Sequence, residues 1–398
     1  MTRRRREHRR VATRSLLEIV ALALVAVCGP PCVASSSTEL SRAARRLGST
    51  EFTARHDAGD VLLRAGASAI PYLREAAGSE VPEIRFRASE LLQRIELQVL
   101  DAQKAEVLSG SLTEGQLPAW DRYRQIVDDS EPARRLFVAM LERSPQLLLS
   151  IGTSELAEVF DRRVNDWGTS ASPWARRESP DGTEILAALL LAASQPECTP
   201  TQVQAQLISR SAEYSWFQAQ LNTSDRSRPL RSIVTAWIVQ TGRGSADARL
   251  HLAQHCRYRE GIVPAREIIA GNGTGLEIQS AILFLSAFGE EQDVPRLERL
   301  LDNETELQNF QSRRPAEAMK TQVRDVALVA LWKMRREDPT DHGLKDYLEQ
   351  NGAPRPGSIG FHDEDARRTA IAHWRGWRKR YVKADLPPDG WAVEGWRG

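Results

Sequence analysis

Cysteine, methionine and aromatic residues are all sparse in this chain of 398 residues, which holds four cysteines, four methionines and 6% aromatics. Thiols at positions 28, 32, 198 and 256 are too few and too scattered for a disulfide framework. Past residue 30 no apolar run approaches the roughly 20 residues that a membrane-spanning helix needs, which excludes a polytopic membrane protein. Neither charge sign dominates, with 54 Lys+Arg against 53 Asp+Glu. Gly-x-Ser-x-Gly, paired Cys-x-x-Cys and any nucleophile beside an evident base are missing, so no catalytic constellation is offered. No stretch alternates apolar and polar residues long enough to announce a sheet.

What is present begins with a basic head. Met1 to Arg14 carries seven arginines, Leu16 to Val27 is apolar apart from Glu18, and Pro30-Pro31 then give way to small residues. That order reads as a secretory signal peptide over residues 1–34, cleaved after Ala34. Its apolar core of about a dozen residues rises only about 18 Å as a helix, short of a hydrocarbon layer of about 30 Å. Two other fates stay open: lipidation of Cys28, against which Val27 stands where Gly, Ala or Ser is usual, and retention as an uncleaved basic anchor. On either, the bulk of the chain lies outside the cytoplasm, in periplasm, cell envelope or medium. Cleavage leaves 47 basic against 51 acidic residues, a net charge of −4, which argues against a nucleic-acid partner held by phosphate attraction. It also leaves only Cys198 and Cys256, either bridged in an oxidising compartment or standing as two separate thiols.

From Thr38 onward apolar residues recur at spacings of three and four, which predicts an all-α chain. Five segments are expected: the leader 1–34; helical repeats over 35–109; a linker, three helices and a loop from Asn165 to Gly182 rich in Trp, Pro and Ser over 110–182; a helical domain over 183–345; and a capping helix with a Trp-rich tail over 346–398. The expected helices include Pro82 to about Val107, a single long one from Pro200 to Leu221 opened by Thr199-Pro200, a short one around Leu344 to Glu349, and a last one from Asp363 to Tyr381 with an acidic start and a basic end.

One phrase occurs twice. Gly66, Ile70-Pro71-Tyr72-Leu73 and Ile84-Arg85-Phe86-Arg87-Ala88 through Leu92 are echoed by Gly289, Val294-Pro295-Arg296-Leu297 and Val323-Arg324-Asp325-Val326-Ala327 through Leu331. A paired-helix unit that recurs cannot bury its apolar face alone, so copies stack. Proline fits a first helical turn, and Ala88 and Ala327 are small where two helices must approach. On these positions the chain resembles HEAT repeats, the units of α-solenoids, over Ala65 to Ile95 and Leu276 to Met334. Trp120-Asp121-Arg122-Tyr123, Pro132 to Phe137 and Gly360-Phe361 with Trp374 and Trp377 are similar to text in uncharacterised exported bacterial HEAT-repeat proteins. The resemblance implies a protein-interaction scaffold and names no catalytic residue. Val99 to Val263 lacks the rhythm of about 40 to 47 residues, so its repeats are degenerate or it is a separate helical domain.

Four clusters remain as candidates for chemistry. His251 and His255, four apart and followed by Cys256, place two metal ligands on one helix face, but Leu252 stands where a zinc protease has Glu. Gly271 to Gly275 before a helix resembles a phosphate loop without its Lys-Ser/Thr. His362-Asp363-Glu364-Asp365 gathers oxygen ligands that also suit a helix start. Trp374, Arg375, Trp377, Arg378, Lys379, Arg380 and Tyr381, with Trp391 and Trp396 beyond, mix aromatic and cationic groups, either to dock on the preceding repeat or to touch headgroups or an anionic polymer. A scaffold with no catalytic, cofactor or metal residue, binding an unknown protein, is the leading expectation. A metal-dependent enzyme using the middle region and a self-associating envelope protein are the alternatives.

Overall fold

The computed structural model describes residues 36–169, 182–242, 245–271, 273–307, 319–350 and 353–381. The expected leader, Cys28, most of the loop after Asn165, Asn272, residues 308–318 and the two tryptophans of the tail lie outside these ranges. Among the described residues the fold is all-α, except that β1 (Glu349–Gln350) pairs antiparallel with β2 (Ala353–Pro354). The chain divides into two compact units, one of Met1–Thr199 with Tyr214–Ala236 and one of Pro200–Glu213 with Trp237–Gly398.

In the first unit, α1 (Ser37–Arg46) starts at Ser36, whose hydroxyl accepts from the Glu39 amide at 3.3 Å. It packs on α2 (Phe52–Ala65), and a 3-10 turn over Gly66–Ala69 leads into α3 (Ile70–Ala77) and then α4 (Pro82–Ser109). Leu62, Leu73, Ala88, Leu92 and Ile95 form the fully buried centre of this group. Next come α5 (Pro118–Ile126), α6 (Glu131–Arg143), α7 (Pro145–Leu149) and α8 (Leu156–Thr169). They surround α9 (Gly182–Ala193), in which every residue from Leu186 to Ala193 is sealed from water. A helix apolar on all sides is stable in water only inside a ring of others, and α6, α7, α8 and α11 (Ser215–Thr223) supply that ring.

The second unit holds α10 (Gln202–Ser211), the end of α12 (Ser227–Ile238), α13 (Ala246–Cys256), α14 (Ile262–Ala270), α15 (Gly275–Phe288), α16 (Val294–Arg299), α17 (Val323–Met334) and α18 (Glu364–Tyr381). Its centre is α17, buried along nearly its whole length against α15 and α16. Both copies of the recurring phrase adopt one local build: a 3-10 turn, a short helix with proline in its first turn, then a longer helix. Ile70 and Val294, Leu73 and Leu297, Ala88 and Ala327, and Leu92 and Leu331 are buried in pairs at the same places.

Three expectations need correction. The helix expected over Pro200 to Leu221 is two, α10 and α11, broken at residues 212–214. The start of α10 is not Thr199-Pro200 but Thr201, which closes a capping box with Gln204. The stretch from Leu344 to Glu349 forms no helix and instead feeds β1, whose backbone is satisfied by pairing with β2. Finally, α8 runs on through Asn165 to Thr169, where a loop was expected.

The last helix is clamped to α17 by ions and tryptophans. Arg367, 3% exposed, donates to Asp325 at 2.8 Å and to the Lys320 carbonyl at 3.0 Å, while Arg324 grips both carboxylate oxygens of Glu364 at 2.8 and 2.9 Å. Burial pushes the Asp325 carboxyl above its ordinary range, and the Arg367 hydrogen bond pulls against that shift. Trp374 is fully buried edge-on to Trp332 at 4.8 Å, and its indole donates to Glu298 at 3.1 Å. Gly360 has φ +151 and lies so close to the Lys320 carbonyl that a Cβ there would sit 2.5 Å from it. Replacing Arg367 by Ala strands Asp325 without its cation, and the expected loss is about 3 kcal/mol of unfolding free energy. Urea denaturation checks this, and a loss under about 1 kcal/mol would show that the ion pair is not a structural clamp.

Candidate functional site

The site is a groove in the second unit where α10, α13, α14 and α15 meet. Capping fixes two of its walls. Thr201 and Gln204 exchange bonds at the start of α10, and Thr274 and Glu277 do so at the start of α15, the Thr274 amide donating to Glu277 at 2.6 Å. The third wall, α13, is anchored from beneath by Arg249, 1% exposed, which reaches Glu267 at 2.6 Å and the Ile238 carbonyl at 3.2 Å. A charge so buried is held only because it is paired, so the register of α13 against α14 is strongly specified.

Above that anchor lies a cavity of about 220 Å³ lined by Gln206, Arg210, Asp247, His251, Gln254 and Glu277 among others. Its polar groups bridge from helix to helix. Gln206 donates to Asp247 at 3.3 Å, His251 Nε2 and Glu213 Oε1 are 2.6 Å apart, and Gln254 reaches the Ser280 carbonyl at 3.4 Å. Leu276 stands 51% exposed at the rim beside Ile268. Amide, carboxylate, guanidinium and imidazole groups with an apolar rim can recognise a polypeptide, and among the described residues the groove's imidazole, His251, pairs with Glu213 rather than with a groove hydroxyl.

Of the clusters singled out in the sequence, only one reaches this groove. His251 belongs to it and is exposed, with Glu213 as its partner, and His255 is exposed one turn on. Among the described residues no three His, Cys, Asp or Glu side chains gather as a metal site. The stretch ending at Gly275 is a capped helix start, where the Thr274 hydroxyl accepts from the Glu277 amide at 3.4 Å. Around His362 the acids diverge: Asp363 accepts from the Ala366 amide at 2.6 Å, Glu364 from Arg324 and Arg367, and Asp365 from Arg368, while His362 meets Asp346 at 3.0 Å. Trp374 and Trp377 turn towards Trp332. No disulfide joins Cys198 to Cys256.

Sequence reasoning found His251 but missed Gln206, Arg210, Asp247, Gln254 and Glu277. On their own helices these look like ordinary solvated positions, and only packing brings them to one groove. No family model, no curated protein and no solved structure matches this chain.

Cys198 is buried, and burial first, then the nearby Asp161 and Glu197 charges, pushes its thiol up to about 12. Thiolate is the reactive form, so Cys198 should stay unmodified by iodoacetamide at pH 8 in the native protein and react after unfolding. Peptide mass spectrometry reads both states, and rapid native labelling of Cys198 would contradict the buried placement.

Proposed function

We propose that this chain is an exported helical-repeat scaffold of HEAT-like build that binds a protein partner and performs no catalysis. Support for the repeat comes from the shared build of the two phrases and from a third instance between them, where a 3-10 turn at Arg259–Gly261 leads to α14 with Pro264 in its first turn and then to α15. Support for binding rests on one observation above all, the groove where polar side chains of α10, α13 and α15 converge without forming a reactive set. Export rests on the order of basic head, apolar run and small-residue exit in residues 1–34.

Reversing one groove charge, Asp247→Arg, should cut recovery of the crosslinked partner from cell envelopes by about tenfold or more, with the circular dichroism spectrum unchanged. Undiminished capture would move the binding face elsewhere. N-terminal sequencing of the protein from its native cells should begin at Ser35, and a full-length chain confined to the cytoplasm would remove the export reading. Stoichiometric zinc in the purified chain, lost on His251→Ala, would replace the scaffold by a metal-dependent enzyme.

A further inference from the structure

The long helix α4 of the first unit carries an apolar stripe left open to water. Phe86, Leu97 and Leu108 are 68%, 55% and 45% exposed. They are spaced eleven residues apart, and eleven residues turn an α-helix by three revolutions and about 20°, so the three stand almost in line over about 33 Å. The opposite face, with Ala88, Leu92 and Ile95, is fully buried. Scattered surface leucines need no explanation, but an aligned aromatic and two leucines on one 28-residue helix form a seam.

The charges along that seam say what covers it. Between the apolar positions lie Glu90, Gln93, Arg94 and Asp101, all exposed, and Lys104, whose ammonium meets Asp101 at 2.7 Å and Glu142 at 3.5 Å and so keeps one N–H to give. Laid antiparallel on a second α4 about Leu97, the helix brings Leu97 onto Leu97 and Phe86 onto Leu108. Glu90 then faces Lys104, and Arg94 lies beside Asp101. A parallel pairing in register would instead set Glu90 on Glu90, Asp101 on Asp101 and Lys104 on Lys104. The geometry points to a two-fold antiparallel dimer of this chain, closed through the Phe86–Leu97–Leu108 seam of α4. Such an interface is isologous, so each favourable pair is made twice. It is independent of the groove in the second unit, and a dimer would present two copies of that groove to a partner.

Sedimentation of the full chain should show a concentration-dependent monomer–dimer equilibrium, and Leu97→Glu should raise the dissociation constant by about tenfold or more. Glu90→Lys should weaken the dimer and Glu90→Lys with Lys104→Glu should restore it. For geometry, Leu97→Cys should form a covalent dimer under mild oxidation well above the background of the native cysteines. Phe86→Cys alone should not, whereas Phe86→Cys with Leu108→Cys should. The substituted positions are exposed except Lys104, which is half-buried beside Glu142, and circular dichroism verifies that each variant is folded. A chain monomeric to its solubility limit overturns the proposal, as does Phe86→Cys linking as readily as Leu97→Cys, which would require parallel helices.

Discussion

Two helices buried on nearly every side, α9 and α17, set the terms for everything packed around them. Each buried leucine is worth about 2 kcal/mol when withdrawn from water, and α9 alone withdraws Leu186, Leu189, Leu190 and Leu191 completely. A helix of this kind cannot lie at a surface, so α6, α7, α8 and α11 are drawn around it, and α15, α16 and α18 around α17. Neighbours need only one apolar face each, which leaves their outer faces polar. The α13 helix, which packs on α10, α14 and α15, divides in the same way: Leu250, Leu252 and Ala253 are buried, while Asp247, His251 and Gln254 line the groove.

Much of the helical text could be read from spacing, because three-and-four periodicity reports directly which side of a helix is dry. The recurring phrase was readable for the same reason: Ile70 and Val294, or Ala88 and Ala327, are apolar or small because both sets are buried. The break between α10 and α11 was not readable. Ile208, Phe217 and Leu221 continue an apolar rhythm across it, and no glycine or proline marks residues 212–214. The shift of the α10 cap from Thr199 to Thr201 is similar, since either threonine suits an N-cap and each has a glutamine three residues on, Gln202 after Thr199 and Gln204 after Thr201, so the pattern does not decide between them. The groove was the least legible feature. A polar residue on a helix surface carries no mark of whether another helix will bring a second polar residue to meet it.

Buried polar groups in this chain cluster where one helix must be fixed against another. Arg249 fixes α13 on Glu267, and Arg266 meets Asp293 at 2.6 Å to tie α14 to the turn before α16. Arg74 meets Glu96 at 3.1 Å to tie α3 to α4, where burial raises the Glu96 carboxyl above its usual range and Arg74 opposes the shift. Arginine suits these places because its planar fork can satisfy carboxylate and carbonyl together. Arg324 takes the place in the second phrase that Arg85 takes in the first, yet Arg85 only reaches back to the Ser79 carbonyl at 3.1 Å, whereas Arg324 reaches Glu304 and Glu364. The difference is one of neighbours: α17 has the last helix, α18, to receive, and Arg324 receives it.

The docking of that helix shows why ions are used where apolar contact alone would give comparable adhesion. Trp332, Trp374, Trp377, His342 and His373 make a set of ring contacts between 3.7 and 5.6 Å, and flat rings tolerate sliding across one another. A slide of one helical turn, about 5.4 Å, would preserve much of that apolar contact. It would also carry Arg367 away from Asp325 and from the Lys320 carbonyl; Arg367 would keep Glu364 of its own helix, but Asp325 would be left buried without that partner at a cost of several kcal/mol. The tryptophans therefore provide adhesion without a unique position, and the Arg367–Asp325 and Arg324–Glu364 pairs select one register from those the tryptophans would accept. Gly360 completes the selection, because its close approach to Lys320 sets where the chain enters α18.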